Sequence, residues 1–165
     1  MATTLPVPIK FALPEGWRAA PPDEVNAPGA AFVAGHLPPD AGFTSNITID
    51  GEFRPDSATL PEIADESVKR LRQAVTSIAV AGRREADSVD VPGLTQTLTF
   101  SAMVGGVSRE LVQSQVYLSM LDAADPRKRA VIRLALTCTA SQYPTVLADF
   151  QDFVRTVRPG ADGPT

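Results

Sequence analysis

The chain has few of the residues that carry most enzyme chemistry. Its 165 residues include one histidine, His36, and one cysteine, Cys138. Nucleophile–base pairs and most transition-metal sites use histidine, so few catalytic arrangements are open to this sequence. One Cys and one His cannot supply a structural zinc site, and a single cysteine forms no internal disulfide. We therefore predict no catalytic residue, no metal site and no cofactor.

Basic charge and long apolar runs are also scarce. The chain has 15 Lys and Arg against 19 Asp and Glu, a formal net charge of −4. Nucleic-acid binding needs a basic patch that releases counterions, so we expect no nucleic-acid partner. No run of about 18 apolar residues occurs, so we expect no membrane insertion. The first residues resemble neither a signal peptide nor a lipoprotein signal, and we expect the chain as given to be cytoplasmic.

The chain does have enough apolar material for one domain, with 44% hydrophobic residues. Prolines crowd the first third and predict short strands joined by turns, at residues 9–13, 30–36 and 44–53. The sequence predicts an extended or disordered segment over 1–8, a single α+β domain over 9–158 and a flexible tail over 159–165.

The apolar period becomes helical after residue 59. The apolar residues then form one helical stripe: Leu60, Ile63, Ala64, Val68, Leu71 and Val75. Thr59 and Glu62 have the spacing of a capping box, and Pro61 falls in the first turn. This predicts an amphipathic helix that packs on an apolar surface.

Four strands are predicted next, at residues 77–84, 93–102, 109–121 and 128–140, with a hairpin turn at Gly105-Gly106. In the second of them Leu94, Gln96, Leu98 and Phe100 share one face. The last strand is mostly uncharged on both faces, which indicates a central strand covered on each side.

A second amphipathic helix closes the chain. Ser141 is placed as its N-cap, Pro144 falls in its first turn, and Pro159-Gly160 ends it. The order of elements predicts an α+β fold with a largely antiparallel sheet of six to seven strands, whose faces two main helices cover. A charge introduced at Phe150 or Leu134 is expected to unfold the domain.

Several of these features together resemble a known fold. They are the opening segment ending in Leu13-Pro-Glu-Gly-Trp17, two strands before the first helix, a long hairpin, and a closing helix with Phe150 and Phe153. Over nearly the whole chain this resembles the Mog1p/PsbP-like fold, in particular its bacterial DcrB-like and LpqN-like branches. The resemblance implies an α/β/α sandwich acting as an accessory, binding or assembly factor. LpqN-like proteins are typically lipoproteins, but this sequence shows no lipobox, so an envelope location does not carry over.

Other polar residues are predicted to be structural. Cys138 lies in an apolar strand, where burial makes a thiol inert. Gly105-Gly106 lacks the lysine and the following helix of a phosphate loop. The two basic runs, Arg83-Arg84 and Arg127-Lys-Arg129, are interpreted as strand-edge charges that oppose aggregation. The aspartates lack the spacing of a calcium loop and are interpreted as solvated residues: Asp87, Asp90, Asp122, Asp125, Asp149 and Asp152.

Two functions remain open. The first is a non-catalytic accessory domain that binds another protein, or a second copy of itself, through an exposed face of the long hairpin. The second is a small-molecule or lipid-binding module with an apolar pocket between sheet and helix. The candidate partner- or ligand-binding residues are Trp17, Phe32, His36 and Phe43. Trp17 is either a lid on the core or an exposed anchor for a partner, and His36 is expected at a surface or rim without a catalytic role.

Overall fold

The computed structural model describes residues 9–21, 30–36, 43–54, 58–75, 77–87, 92–104, 106–121 and 129–159. The helices are α1 (Leu60–Arg72) and α2 (Tyr143–Thr156). The strands are β1 (Ile9–Lys10), β2 (Trp17–Ala20), β3 (Phe32–His36), β4 (Asn46–Phe53), β5 (Ser77–Asp87), β6 (Pro92–Val104), β7 (Val107–Leu121), β8 (Arg129–Thr139) and β9 (Arg158–Pro159). The predictions for residues 1–8, 160–165, Gly105, Asp90, Asp122, Asp125, Arg127 and Lys128 lie outside the described ranges.

Seven strands form one antiparallel sheet in the order β2-β3-β4-β8-β7-β6-β5. The predicted α+β fold, with a sheet of six to seven strands and two main helices, is confirmed. β8 is the middle strand, as its uncharged faces predicted. Its even-numbered residues Ile132, Leu134 and Leu136 are fully buried on one face, and Val131 and Ala135 are buried on the other.

The two helices lie on opposite faces of this sheet. On one face, Phe150 and Phe153 of α2 pack with Leu134 and other aliphatic residues of β4, β7 and β8. We call this the α2 face. On the other face, Ile63 and Val68 of α1 pack in two smaller clusters with residues of β6, β7 and β8. We call this the α1 face. None of the helices in the described ranges is long and apolar enough to span a membrane.

The first helix starts as its sequence predicts. The Thr59 hydroxyl accepts a hydrogen bond from the Glu62 backbone amide at 3.2 Å, and the Glu62 carboxylate accepts one from the Thr59 amide at 3.3 Å. This capping box satisfies two backbone donors that a helix start leaves without partners. Three basic residues in the last turn, Lys69, Arg70 and Arg72, complement the helix dipole.

The second helix starts differently from the prediction. Its N-cap is Gln142, not Ser141, and no side chain caps it. The Thr139 hydroxyl instead accepts a hydrogen bond from the Gln142 amide at 3.3 Å and lies 3.2 Å from the Ser141 hydroxyl. The end of β8 therefore supplies the hydroxyl that the sequence pattern assigned to Ser141.

Both ends of the described fold correct the prediction. The strand expected at residues 9–13 is limited to Ile9–Lys10, because the Ala12 amide donates to the Thr156 hydroxyl of α2 instead of to a strand. The helix expected to reach Arg158 ends at Thr156, and Arg158 and Pro159 pair with Lys10 and Ile9. A residue before proline disfavours helical backbone, which explains the extended Arg158. Pro159 therefore belongs to the fold and not to the predicted tail.

The turn before Trp17 is formed as expected, and it leads into the unpredicted strand β2. Gly16 has φ +93°, a left-handed conformation that glycine adopts without strain, and the Trp17 amide donates to the Pro14 carbonyl at 3.3 Å. Further along, Gly82 lies at a register shift in β5. Gly106 has φ +81° in the hairpin between β6 and β7.

Candidate functional site

A continuous row of polar side chains crosses the α1 face of the sheet. It contains one residue from each of five neighbouring strands, in the order Arg83 (β5), Gln96 (β6), Gln115 (β7), Arg133 (β8) and Asp50 (β4). We call these five residues the polar row. Gln115 lies opposite Ala135 in the register, and the Ser67 hydroxyl of α1 links it to Arg133 by accepting a hydrogen bond from each. Inward-facing strand positions normally carry apolar residues, so a polar row at this depth needs its own hydrogen bonds.

Two glutamines form the centre of the polar row. Gln96 is 0% exposed and Gln115 is 1% exposed. The Gln96 side-chain amide donates to the Gln115 carbonyl oxygen at 2.7 Å and to the backbone carbonyl of Ala64 in α1 at 3.3 Å. The Gln96 carbonyl oxygen accepts two hydrogen bonds from the Arg83 guanidinium, at 3.1 and 2.8 Å. The row therefore ties α1 to the sheet.

Arg83 was interpreted as a strand-edge charge, and the structure gives it a more specific contact. Besides its bonds to Gln96, its guanidinium lies 2.8 Å from the Asp65 carboxylate of α1. Arg129 of the second basic run lies on the central strand and not at an edge. Its guanidinium donates to the backbone carbonyls of Arg54 at 3.2 Å and Ala58 at 2.7 Å, and so anchors the segment before α1.

Arg133 is the junction between the row and α1. Its guanidinium donates to the Asp50 carboxylate at 2.6 and 3.1 Å and to the Ser67 hydroxyl at 2.9 Å. Burial disfavours the charged guanidinium, but the nearby Asp50 carboxylate and Tyr117 outweigh this, so the pKa of Arg133 is raised. The ion pair is thus a permanent feature of the site at neutral pH.

Tyr117 completes the group. Its hydroxyl donates to the Gln115 carbonyl oxygen at 2.8 Å, and its ring packs with Ile63 and Leu94. Burial disfavours the phenolate, so the pKa of Tyr117 is raised even though Ser67 and Arg133 favour the charged form. The hydroxyl therefore stays protonated and acts as a fixed donor.

Asp50, Gln115, Tyr117 and Arg133 lie along a groove of about 630 Å³ between α1 and strands β4, β7 and β8. We call it the α1 groove. Its polar lining includes Thr48, Asp50, Ser67, Gln113, Gln115, Tyr117 and Arg133, and Glu52 and Arg70 also line it. Its apolar wall is made by Ala30, Ile63, Leu71, Ala74 and Val131. Such a groove can bind a partner group by directed hydrogen bonds, but it contains no nucleophile paired with a base.

The residues predicted as a site do not meet in one pocket. Trp17 is 6% exposed and its indole N–H donates to the Asp149 carboxylate of α2 at 3.0 Å, so it is a lid on the core. Asp149 is therefore not the solvated residue that the sequence indicated. Phe32 packs edge-on against Phe11, with ring centroids 4.9 Å apart, on the same α2 face. Phe43 packs instead against a cluster on the α1 face.

His36 ends β3 next to Trp17, with ring centroids 5.0 Å apart. It is half-buried, and its buried Nδ1 atom has no hydrogen-bond partner among the described residues. Phe11, Phe32 and Phe153 on the α2 face are packed against one another. A partner- or ligand-binding role for Trp17, Phe32, His36 and Phe43 stays a prediction.

Cys138 is fully buried on the α2 face. Its thiol donates weakly to the Val112 carbonyl at 3.8 Å, and burial raises its pKa to about 12. A thiol with such a pKa is inert at neutral pH, as predicted. Among the described residues, no three His, Cys, Asp or Glu side chains lie close enough to hold a metal ion.

The sequence carries one signal for this site. Gln96 shares a strand face with Leu94, Leu98 and Phe100, and a polar side chain among such apolar residues requires a hydrogen-bond partner if that face is buried. Gln113 and Gln115 repeat that period in β7. Three glutamines on inward positions of paired strands indicate a buried hydrogen-bonded group, although they do not reveal the register that joins them.

No protein-family model matches the sequence, and no curated protein does. Solved structures do match. The chain is similar to LpqN, involved in cell envelope biogenesis of Mycobacterium tuberculosis, with a TM-score of 0.65 and 14% identity over 93% of this chain and 86% of that one. It is similar to the Ran-binding protein Mog1p of Saccharomyces cerevisiae, with a TM-score of 0.58 and 15% identity over 92% and 89%.

A third similar structure is cyanobacterial PsbP from Synechocystis, with a TM-score of 0.55 and 17% identity over 92% of this chain and 86% of that one. The chain therefore has the Mog1p/PsbP-like fold, with LpqN-like structural relatives, as its sequence indicated. At these identities the likeness is one of fold. The resemblance to DcrB-like proteins stays a prediction.

Proposed function

We propose that the chain is a non-catalytic accessory domain that binds a partner protein at the α1 groove. The observation that carries this proposal is the half-buried ion pair on the groove floor. The side chains of Arg133 and Asp50 are 27% and 26% exposed, so a partner that covers the groove can reach both. Arg and Tyr are enriched in residues that dominate binding energy at protein interfaces, and both line this groove.

The polar row supports the proposal because it holds these groups in position before a partner arrives. Arg133 is bound on two sides, by Asp50 and Ser67, and Tyr117 is held by Gln115. A pre-ordered surface loses little side-chain entropy on binding, so more of the contact energy appears as affinity. The Ran-binding Mog1p, with the same fold, shows that this architecture is compatible with protein binding, which is support by analogy only.

The long hairpin remains the other protein-binding surface to test, as the sequence predicted. Beyond Ser101 and Leu111, neither β5 nor β8 pairs with it. At its end Met103 is 62% exposed and Val107 is 50% exposed. Exposed apolar residues on an unpaired hairpin could join two copies of the chain, but the patch is small for a stable dimer.

A small molecule is the second candidate ligand, because the volume of about 630 Å³ is that of a typical ligand site. The α1 groove has a mixed lining of polar and apolar side chains. A lipid chain therefore fits it less well than a ligand with a polar head.

The test uses two tryptophan substitutions on neighbouring exposed residues of the α1 C-terminal turn. Ala74 lines the groove, so Ala74→Trp fills it, whereas the adjacent Gln73 does not line it, so Gln73→Trp is the matched control. Affinity capture from a source-organism lysate should recover a defined partner with the unmodified chain and Gln73→Trp, and lose it with Ala74→Trp. If Met103→Lys loses the partner while Ala74→Trp still captures it, the partner binds at the hairpin and not at the α1 groove. That result would overturn the proposal.

A further inference from the structure

The α1 groove has hydrogen-bond donors to spare. A guanidinium has five N–H groups. Arg133 uses three of them, its Nε for Asp50, its Nη2 also for Asp50 and its Nη1 for Ser67. Arg133 also shares a side-chain hydrogen bond with Tyr117, so one N–H is left for a ligand. The guanidinium of Arg70 also lines the groove, and within the described part of the chain no ion pair or side-chain hydrogen bond joins it.

The charged side chains of the groove lining are not all paired with one another. Four charged side chains line it, two acidic and two basic. Asp50 is neutralised by Arg133, and Glu52 lies 3.0 Å from Arg54, which is outside the lining and also binds Glu66 at 2.8 Å. Arg70 is thus the one lining charge without an opposite charge beside it among the described residues. The groove has room for a single negative charge near Arg70.

The wall beside these donors is apolar. Ile63 and Val131 are buried, and Leu71 and Ala74 continue the same wall toward Arg70. A ligand that fits both parts has one anionic, acceptor-rich end and an apolar body. A planar carboxylate matches the fork of a guanidinium, whereas a doubly charged phosphate would meet the nearby carboxylates of Asp50 and Glu52 with repulsion.

We infer that the α1 groove recognises a single carboxylate attached to an apolar body, with Arg70 as its main ligand and Arg133 as a supporting donor. This inference rests on the proposed function, because it uses the same groove. The carboxylate could belong to a free organic acid or to the C-terminus of a partner chain. The chemistry is the same in both cases, and the experiment separates the two sources.

The probes are hexanoate and its neutral analogue hexanamide, titrated into ¹⁵N-labelled protein and followed by NMR. Hexanoate should shift the amide signals of Ser67, Arg70 and Tyr117, and hexanamide should bind at least about tenfold more weakly, since it lacks the charge-assisted bond. A tripeptide ending in leucine, as acid and as C-terminal amide, is the second pair. Tighter binding of the peptide acid than of hexanoate assigns the site to a chain end, and the reverse assigns it to a free acid.

The variant pair is Arg70→Gln and Lys69→Gln. Both residues are exposed on α1 and each change removes one positive charge, but Lys69 does not line the groove. Arg70→Gln should weaken hexanoate binding about tenfold and Lys69→Gln less than about twofold. Arg70→Lys should recover only part of the affinity, because an ammonium lacks the planar fork.

Equal binding of hexanoate and hexanamide, equal effects of the two glutamine variants, or no binding of either acid would overturn the inference. The proposed function would fail separately. If Ala74→Trp abolishes partner capture while the carboxylate probes do not bind, the groove is a protein-docking site of different chemistry. If hexanoate binds as described and Ala74→Trp leaves capture unchanged, the carboxylate site stands and the protein-docking proposal falls.

Discussion

The two faces of one sheet are built on different principles. On the α2 face, Ile47, Ile49, Ile132, Leu134 and Leu136 are all fully buried among other apolar side chains. On the α1 face, Gln96 and Gln115 reach the same depth and depend on hydrogen bonds in fixed directions. Apolar contact tolerates small shifts, whereas a buried amide without its partner is costly. The α2 face therefore provides stability, and the α1 face fixes how α1 and a possible ligand are placed.

The largest effect is expected on the α2 face. Leu134→Ala removes a fully buried side chain at the centre of the middle strand and should lower the free energy of unfolding by about 3 kcal/mol. Leu147→Ala on α2 is the control, because Leu147 is only half-buried, and it should cost about 1 kcal/mol. Urea unfolding followed by circular dichroism measures both. Equal losses would show that the α2 face is not the main source of stability.

An intermediate effect is expected on the α1 face, where the cost should depend on pairing. Gln96→Leu leaves the Arg83 guanidinium and the Ala64 carbonyl without this partner and should cost about 2 kcal/mol. Gln115→Leu should cost a similar amount for the same reason. The double variant should lose about 1 kcal/mol less stability than the two single variants added together, since it removes both partners of the Gln96–Gln115 hydrogen bond.

The same unfolding measurement completes this double-mutant cycle. Thr97→Val serves as the control, because Thr97 neighbours Gln96 but points to the α2 face and is half-buried. It should change stability by less than about 0.5 kcal/mol. If the stability losses of the two glutamine variants simply add, the polar row is a set of independent contacts. The α1 face would then not differ from the α2 face in depending on coupled hydrogen bonds.

The smallest expected effect is on the pH dependence of the free energy of unfolding. It measures how well the α2 face excludes water from Cys138. Burial raises the pKa of the Cys138 thiol from 9.0 to about 12. Above pH 9 the folded chain therefore keeps this proton while the unfolded chain loses it. The contribution of Cys138 to the free energy of unfolding is complete below pH 9 and decreases as the pH rises above it. Between about pH 8 and about pH 10 the unmodified chain should lose about 1 kcal/mol more stability than Cys138→Val.

Urea unfolding of both proteins at the two pH values, with reductant present, measures this difference. Tyr117→Phe is a useful comparison, since the pKa of Tyr117 is also raised but from 10.0, so its effect begins at higher pH. Identical pH dependence of the unmodified chain and Cys138→Val would indicate that water reaches Cys138 in the folded state.

Most of the fold could be predicted because its signals are local. The capping box at Thr59, the alternation around Leu98 and the apolar stripe of α2 each lie within one element. The errors fell where a distant residue decided the outcome. Thr156 takes the backbone amide of Ala12 that a longer β1 would have used, and Arg158, where the helix was expected to continue, pairs with Lys10.

The candidate site could not be predicted for the same reason. Its members come from five strands and α1, and Arg83 and Arg133 are 50 positions apart in the chain. Attention to aromatic residues pointed instead to Trp17 and Phe32, which the structure places in the α2-face core. An inward-facing glutamine was the more informative residue, because its polarity at a buried position requires an explanation that packing cannot supply.

The short pairing of β1 with β9 has a consequence for chain order. It sets Ile9 beside Pro159, so the first and last described residues of the fold are neighbours. Joining the two ends through a linker and opening the chain at Gly106, in the hairpin turn, would leave every strand pair of the seven-stranded sheet available. The architecture is thus close to circular, and it could be permuted so that β6 and β7 become the two ends of a chain with the same core.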